Sequence, residues 1–371
     1  MCGFVGLIGV EGAASSLVIG LQAIQHRGQD AAGIGTLNAG QFSLEKEMGL
    51  VTTALPSHVV SSMRGQSGIA HVRYPTAGPE ATRNDAQPFL TRRPGILLAH
   101  NGNVTNVPEL SRTLREEGWH VLSLCDAEPI LLVLAEALTR SRPEGHSRDD
   151  VVRAVREVHQ RVRGAYTVVA LLEVDGRETL ISFRDPHGIR PGVYGRRDDG
   201  AWISASESVS LDVLGLQKVD DVPVGHVVFM VPGQDSESLP LEPARSDCPL
   251  QARPCVFERI YFARPDSVME EGRVNRVRWR LGRQLAREWR ARDLQADLVV
   301  AVPDTSRPAA QALAEELELP HREGFIKNRY SGRTFIIPDQ STRNAALRLK
   351  LNPIREMLEG KSVLLIDDSV V

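Results

Sequence analysis

Cysteine at position 2 follows the initiator methionine directly, in Met1-Cys2-Gly3-Phe4-Val5-Gly6. Methionine before a small residue is normally trimmed, which would leave a thiol and a free α-amine on neighbouring atoms. A thiol titrates near ~8.5 and an α-amine near ~7.7–8.0, against ~10.4 for a lysine amine. The terminal amine is then substantially unprotonated near neutrality and can serve as the base for its own nucleophile. Taken alone, Cys2 reads equally well as a small buried residue that opens a strand. Other residues must decide.

Three further positions supply the partners that such a thiol would need. Asn101, in His100-Asn101-Gly102-Asn103, follows an apolar run at 96–99 and is expected at a strand end. A side-chain amide beside the Gly102 N–H makes a workable oxyanion hole for acyl transfer, although Asn-Gly is also an ordinary hairpin turn. Arg73 closes another strand in Arg73-Tyr74-Pro75-Thr76; its planar fork suits a free α-carboxylate, or it is simply solvated. Asp126, just before a helical pattern at 128–139, can hold an ammonium group, cap the helix, or both. Each signal alone is weak. Together they are a nucleophile with its own base, an oxyanion hole, a carboxylate clamp and an ammonium clamp. That set fits hydrolysis of the side-chain amide of free glutamine.

The elements that must position these residues follow from periodicity. Residues 1–9 alternate apolar residues and glycine and read as a strand with Cys2 at its tip. Helical spacing at 17–24 ends in the polar turn His26-Arg27-Gly28-Gln29-Asp30. Short β-like runs follow at 33–37, 41–46, 68–72 and 95–99, and helical patterns at 107–117, 128–139 and 149–162. More short strands are expected at 166–173, 179–183, 193–196, 201–204 and 226–231. Strands, then helices, then strands suggest two sheets with helices outside them, an α+β layered domain. Residues 232–254, rich in Pro, Ser, Asp and Gly, read as a linker or seam. Beyond it the pattern becomes α/β, with a helix at 274–292 whose expected apolar stripe is Val277, Leu281, Leu285 and Trp289. Strands are expected at 297–302, 321–326 and 361–366, and a helix at 308–317. Arginines 276, 278, 280, 283, 287, 290 and 292 crowd the helix near 280, as a solvated face or a phosphate-attracting one.

Composition agrees with a two-domain protein. At 371 residues, 42% hydrophobic and 25% charged, the chain has ample core. A net charge of −3 gives no global attraction to nucleic acid or anionic membrane. Cys2, Cys125, Cys248 and Cys255 are too few and too scattered for a disulfide framework or a zinc site. With neither a leader nor an apolar run of ~18 residues, the expected location is cytoplasmic.

At this point a resemblance enters. Cys2 to Gly6, His26-Arg27-Gly28-Gln29-Asp30-Ala31-Ala32-Gly33, His71-Val72-Arg73-Tyr74-Pro75-Thr76 and His100-Asn101-Gly102-Asn103 resemble the class II glutamine amidotransferase domain of the N-terminal nucleophile hydrolases. Phe183-Arg184-Asp185-Pro186-His187-Gly188-Ile189-Arg190-Pro191, Ala205-Ser206-Glu207-Ser208, Tyr261-Phe262-Ala263-Arg264-Pro265-Asp266-Ser267 and residues 324–335 are similar to the amidophosphoribosyltransferase family of purine synthesis. The likeness runs over essentially the whole chain.

It implies a four-layer αββα domain over 2–235, followed by part of an α/β phosphoribosyltransferase domain over 255–371. Cys2 would attack the glutamine amide while Asn101 and Gly102 hold the oxyanion. Arg73 would bind the α-carboxylate and Asp126 the α-amine, with Arg27 and Gly28 supporting the glutamine site beside the thiol. The released ammonia would attack phosphoribosyl pyrophosphate (PRPP), giving phosphoribosylamine, glutamate and pyrophosphate. A homo-oligomer (given a complete second domain) and purine nucleotide inhibitors are also implied.

In the second domain, Asp367 and Asp368 end an apolar strand at the ligand-binding edge of an open parallel sheet. They suit ribose hydroxyls or hydrated Mg²⁺, or else a capped helix start. Ser369 follows them, and Thr305 is a further expected Mg²⁺ neighbour. Asp304, Thr305 and Ser306 lead from a strand into a helix, a good place for pyrophosphate oxygens. Lys327, Arg329 and Arg333 form a basic loop able to close over phosphates.

The chain departs from the family where it stops, just after Asp367-Asp368-Ser369. The loop that would cradle the ribose 5-phosphate is expected to follow there. A truncated product with glutaminase activity only, or an idle glutamine- or PRPP-sensing module, are therefore alternative expectations. Another class II enzyme, such as a glucosamine-phosphate synthase, fits less well because of the features at 302–306, 324–335 and 363–369. Cys255 aligns with a position that ligates an iron–sulfur cluster in some relatives, but its partners would lie beyond residue 371, and no cluster is expected. Relatives carry a tyrosine near Asn275, a difference that touches none of these roles.

Overall fold

The computed structural model describes residues 2–74, 82–142, 145–270, 272–328 and 348–369. It divides into two compact units, 1–255 with 268–270, and 256–267 with 271–371.

The first unit opens with β1 (Gly3–Ile8), buried along its whole length. A Cβ on Gly6 would lie 2.7 Å from Val169 Cγ2, so this glycine lets the strand lie close to the side chains facing it. Helix α1 (Ala13–Ala23) is followed by β2 (Ala31–Asn38), β3 (Gln41–Met48), α2 (Val51–Ala54), α3 (Ser57–Ser62) and β4 (Ser67–Arg73). Then come β5 (Phe89–Arg92), β6 (Gly95–Val104), α4 (Val107–Glu116), α5 (Ala127–Ser141) and α6 (Arg148–Arg161). The start of α6 is set by a capping box in which Ser147 and Asp150 exchange side-chain-to-backbone bonds. Strands β7 (Gly164–Val174), β8 (Arg177–Arg184), β9 (Val193–Arg196) and β10 (Trp202–Ala205) precede α7 (Val209–Val213). Strands β11 (Gln217–Asp221), β12 (His226–Met230), β13 (Glu237–Pro240) and β14 (Val268–Met269) complete the unit.

Strands β1 to β13 form a seven-stranded sheet in the order β11-β9-β10-β1-β4-β2-β3 and a six-stranded sheet in the order β13-β12-β8-β7-β6-β5. A core that includes Phe4, Ile69, Leu97, Val169 and Trp202 fills the space between the sheets. The outer face of the first sheet packs on α1, through residues such as Leu17 and Leu21. The outer face of the second packs on α5 and α6, through Ile130, Leu134 and Val155. The result is the expected αββα layering.

Two expectations for this unit change. Asn101 and Gly102 do not end a strand or make a hairpin turn: β6 continues to Val104, with Asn101 opposite Thr167 and Gly102 opposite Tyr166. Residues 232–254 are not a seam either. Strand β13 pairs with β12, and the N–H groups of Gln251, Arg253 and Cys255 donate to the carbonyls of Pro186, His187 and Ile189. A boundary drawn at 235 therefore falls short of the unit's edge.

The second unit contains β15 (Gly272–Arg273), α8 (Val274–Ala291), β16 (Leu298–Ala301), α9 (Arg307–Leu317), β17 (His321–Arg322), β18 (Phe325–Lys327), β19 (Leu351–Pro353) and β20 (Val363–Ile366). Its sheet is parallel, in the order β17-β16-β20. The expected strand at 321–326 is broken. Its first two residues pair with β16, while β18 forms a separate antiparallel ladder with β19. Helix α8 buries Val274, Arg278, Gly282 and Ala286 rather than the expected stripe, and leaves Leu281 and Leu285 exposed. A Cβ on Gly282 would sit 2.1 Å from Ala309 O of α9, so small residues seat this helix. Arg278 leaves the solvated set too, donating to the carbonyls of Arg259 (2.9 Å) and Ala263 (2.7 Å). Among the described residues no helix is long and apolar enough to cross a membrane.

Candidate active site

Both backbone polar groups of Cys2 are tied to side chains. Its N–H donates to Asn101 Oδ1 at 3.2 Å, and its carbonyl accepts from Arg27 Nε at 2.9 Å. The sulfur lies against Tyr74, just past the end of β4, whose N–H donates to Sγ at 3.5 Å and whose carbonyl oxygen is 3.8 Å away. Cys2 is 6% exposed. A residue at the end of the chain, where fraying is the rule, is held in one place.

Asn101 is fully buried. Its Oδ1 is engaged by Cys2, and its Nδ2 has no hydrogen-bond partner among the described residues. An unsatisfied buried donor costs ~1–3 kcal/mol, so Nδ2 is poised for an oxygen. Gly102 supplies a second donor by ladder geometry. Tyr166, opposite it, gives its N–H to Asp185 Oδ2 (3.0 Å) and its carbonyl to Asp185 N (2.8 Å). Gly102 and Tyr166 are thus a non-hydrogen-bonded pair, and the Gly102 N–H points off the other edge of β6. The flanking groups show the same direction: His100 N–H reaches Gln87 Oε1 at 2.7 Å, and Val104 N–H reaches Asp126 Oδ2 at 2.8 Å. Strand β5 pairs with β6 only along 95–98, which leaves this stretch of edge free of strand partners among the described residues.

Asp126 stands at the N-cap position of α5, yet its side chain makes no capping bond. It turns instead to β6, accepting from Val104 and lying 3.5 Å from His100 Nε2. Burial pushes the Asp126 carboxyl up, but the His100 ring and the Val104 N–H more than reverse this, leaving it below the ordinary carboxylate range. Behind it, Gln87 Nε2 donates to His100 Nδ1 at 3.1 Å, which places the His100 proton on the nitrogen facing Asp126. Next to this ring, burial and His100 hold His71 well below the usual imidazole value, so it stays neutral.

Arg73 ends β4 paired with Asp30 at 3.2 Å, and both side chains are partly exposed. Gly28 has no room for a side chain, since a Cβ would lie 2.5 Å from Val72 C. Arg27 is fully buried against Glu207, which is also fully buried and accepts from His26 Nε2 at 2.8 Å. Cys2, Asn101 and Arg27 are therefore joined by direct bonds, and Gly28 and Arg73 follow from the same turn and strand.

In the second unit the candidates gather at the carboxyl edge of the sheet. Ala301 and Ile366 are register partners, so the residues after β16 and β20 emerge side by side, where Val302 N–H donates to Ile366 O at 2.8 Å. Asp304 pairs with Lys327 at 2.7 Å; Asp304 is exposed and Lys327 partly so. Ser306, at the start of α9, makes no capping bond and donates its hydroxyl to Val302 O. Asp368 accepts from Ser369 at 2.8 Å, and Asp367 from the Asp368 N–H at 2.8 Å. Burial, reinforced by the neighbouring Asp367, pushes the Asp368 carboxyl up against bonds from Ser369 and Thr305. Arg329 and Arg333 lie outside the described residues.

Sequence reasoning missed Asp30, Tyr74, Gln87, His100 and Glu207 as neighbours of the site. Asp30, Tyr74, His100 and Glu207 lie within quoted motifs, but a motif does not state which side chains meet. Gln87 carries no local signal.

A profile described as a glutamine amidotransferase domain matches residues 74–213. The amidophosphoribosyltransferase of Pseudomonas aeruginosa is 43% identical over 378 residues, covering 100% of this chain and 74% of the relative. That of Saccharomyces cerevisiae is 39% identical, with the same shares covered. The Bacillus subtilis glutamine PRPP amidotransferase, solved with ADP and GMP, superposes with a TM-score of 0.82 at 33% identity, covering 100% of this chain and 76% of that one. Likeness of this kind over the whole of this chain and about three quarters of each relative leaves one assignment: the chain belongs to the amidophosphoribosyltransferase family.

Proposed function

We propose that this protein releases ammonia from glutamine at Cys2 and transfers it to PRPP, with loss of pyrophosphate, the opening reaction of purine synthesis. The observation that carries the first half is the orientation of Asn101. Its oxygen is held by the Cys2 N–H, and its buried nitrogen is left open as an oxyanion donor.

In the first half-reaction the Cys2 α-amine takes the thiol proton, and Sγ attacks the amide carbon of glutamine. The developing oxyanion is held by Asn101 Nδ2 and the Gly102 N–H. Collapse of the intermediate expels ammonia with the proton borne by the α-amine. Water then cleaves the thioester to glutamate. Asp126, kept ionised by His100 and Val104, binds the substrate ammonium, and Arg73 exchanges Asp30 for the substrate carboxylate. Arg27 and Gly28 support the site from the neighbouring turn.

For the second half, PRPP is expected at the carboxyl edge of the β17-β16-β20 sheet, beside Asp304 to Ser306, Lys327 and Asp367 to Ser369. The donors there are hard oxygens of Thr305, Asp367 and Asp368. They fit Mg²⁺, which keeps waters and substrate phosphates and needs few protein ligands. Bound there, Mg²⁺ would neutralise charge on the departing pyrophosphate. Ammonia attacks the anomeric carbon of PRPP as the bond to pyrophosphate breaks. Purine nucleotides are the candidate regulators, a homo-oligomer the candidate assembly, and the cytoplasm the candidate location.

The test is to measure glutamate and pyrophosphate together, with glutamine, PRPP and Mg²⁺ present. Formation of both, with glutamate lost in Cys2→Ser, is expected. Glutamate without pyrophosphate would refute the transfer half; neither product would refute both halves.

A further inference from the structure

We infer that Glu207 is a positioning residue for the nucleophile, acting on Cys2 through the Arg27 guanidinium. The inference rests on the Cys2 reading above and extends it to a residue 205 positions away in the chain.

A nucleophile on the first residue of a trimmed chain has no preceding covalent bond to hold it. Besides the contacts of its N–H and sulfur, its position must be fixed from its own carbonyl onward. Four hydrogen bonds do this, and three of them end on the segment just past the end of β10. Arg27 Nε donates to Cys2 O at 2.9 Å. Ser206 Oγ accepts from Phe4 N at 3.1 Å, and Ser206 N donates to Phe4 O at 3.1 Å. The next residue, Glu207, accepts from Arg27 Nη1. A guanidinium is a rigid planar fork. With its Nη1 side anchored on Glu207, its Nε–H is aimed at the Cys2 carbonyl.

Stability alone is a poor reason for this arrangement. Arg27 and Glu207 are both 0% exposed, and a buried ion pair is often no more stabilising than an apolar replacement of similar volume. What the pair supplies is a fixed direction. His26, 28% exposed, donates to the same Glu207 Oε1 from the other side and holds the carboxylate in turn.

The experiment is steady-state glutamine hydrolysis by the full chain carrying Glu207→Gln, with Cys2→Ala as a control and thermal unfolding measured on each. Displacing a reacting atom by about 1 Å costs on the order of 10²-fold in rate. Glu207→Gln should therefore lower kcat by about 10- to 100-fold per folded molecule, with KM within about twofold. An unchanged kcat, or a loss carried by KM, overturns the inference. Should Glu207→Gln fail to fold, Glu207→Asp keeps the charge but withdraws it by one methylene, and the same split in kcat and KM is required. Hydrolysis retained in Cys2→Ala would instead overturn the underlying assignment of the nucleophile.

Discussion

The two units hold their chemistry in opposite ways. In the first, Arg27, His100 and Asn101 are buried and locked by side chains or backbone 13 to 180 positions away: Arg27 on Glu207, His100 on Gln87, Asn101 on Cys2. In the second, Asp304 and Lys327 pair with each other at a largely exposed edge, and the acidic pair Asp367-Asp368 bonds mainly to near neighbours. The difference fits the chemistry proposed for each unit. A covalent step needs one atom placed within a fraction of an ångström in a dry site. Binding a highly charged, solvated diphosphate needs converging charge that can adapt as water leaves.

Substitution tests this contrast directly. The largest stability effect should come from Arg27→Met, which strands Glu207 without its buried partner. A loss of about 3–5 kcal/mol in urea unfolding is expected, and a loss under about 1 kcal/mol would show that the pair is not structurally isolated. For catalysis, Asn101→Ala should lower kcat for glutamine hydrolysis by about 10²–10³-fold through loss of one oxyanion donor. An effect confined to KM would remove that role.

Acidity offers a third probe of the buried first unit. Burial pushes His159 down to about 4, with its Nε2–H spent on Arg184 O at 2.9 Å. The unfolded chain protonates this imidazole near ~6.5. Between those values the unfolded state binds more protons, so stability is full above pH ~6.5 and falls as pH drops. The loss approaches about 3 kcal/mol near pH 4. Urea midpoints measured from pH 7 to 4 should show that slope, and His159→Leu should reduce it, leaving the part that buried His71 contributes with the same sign.

The smallest effect is expected at the exposed edge. Lys327→Met should change the stability of its unit by about 0–1 kcal/mol while weakening PRPP binding. A loss as large as that of Arg27→Met would erase the distinction between the units.

The layered architecture was legible because its strands read as short apolar runs between turn residues, and its outer helices carry broad apolar stripes. The reading failed where small or polar residues do the packing. On α8, leucines 281 and 285 advertised a core face, but Gly282 and Ala286 let the helix sit against α9, and Arg278 satisfies two carbonyls. At 321–326 one expected strand serves two ladders, and the break falls at Glu323-Gly324, a breaker signal that the strand reading passed over. Cys2, Arg73, Asn101 and Asp126 could be nominated from residue type and context, since each is the obvious donor or acceptor for one part of glutamine. Their supports could not. Glu207 meets Arg27 from 180 positions away, a distance at which a single sequence carries no pairing signal.

Reaction of the protein with a chloroketone analogue of glutamine, followed by peptide mass mapping, puts the nucleophile to the most direct test. A single adduct is expected on the Cys2 sulfur, in a peptide that begins with that cysteine and has lost Met1. An adduct on Cys125, Cys248 or Cys255, or full labelling of chains that retain Met1, would contradict it.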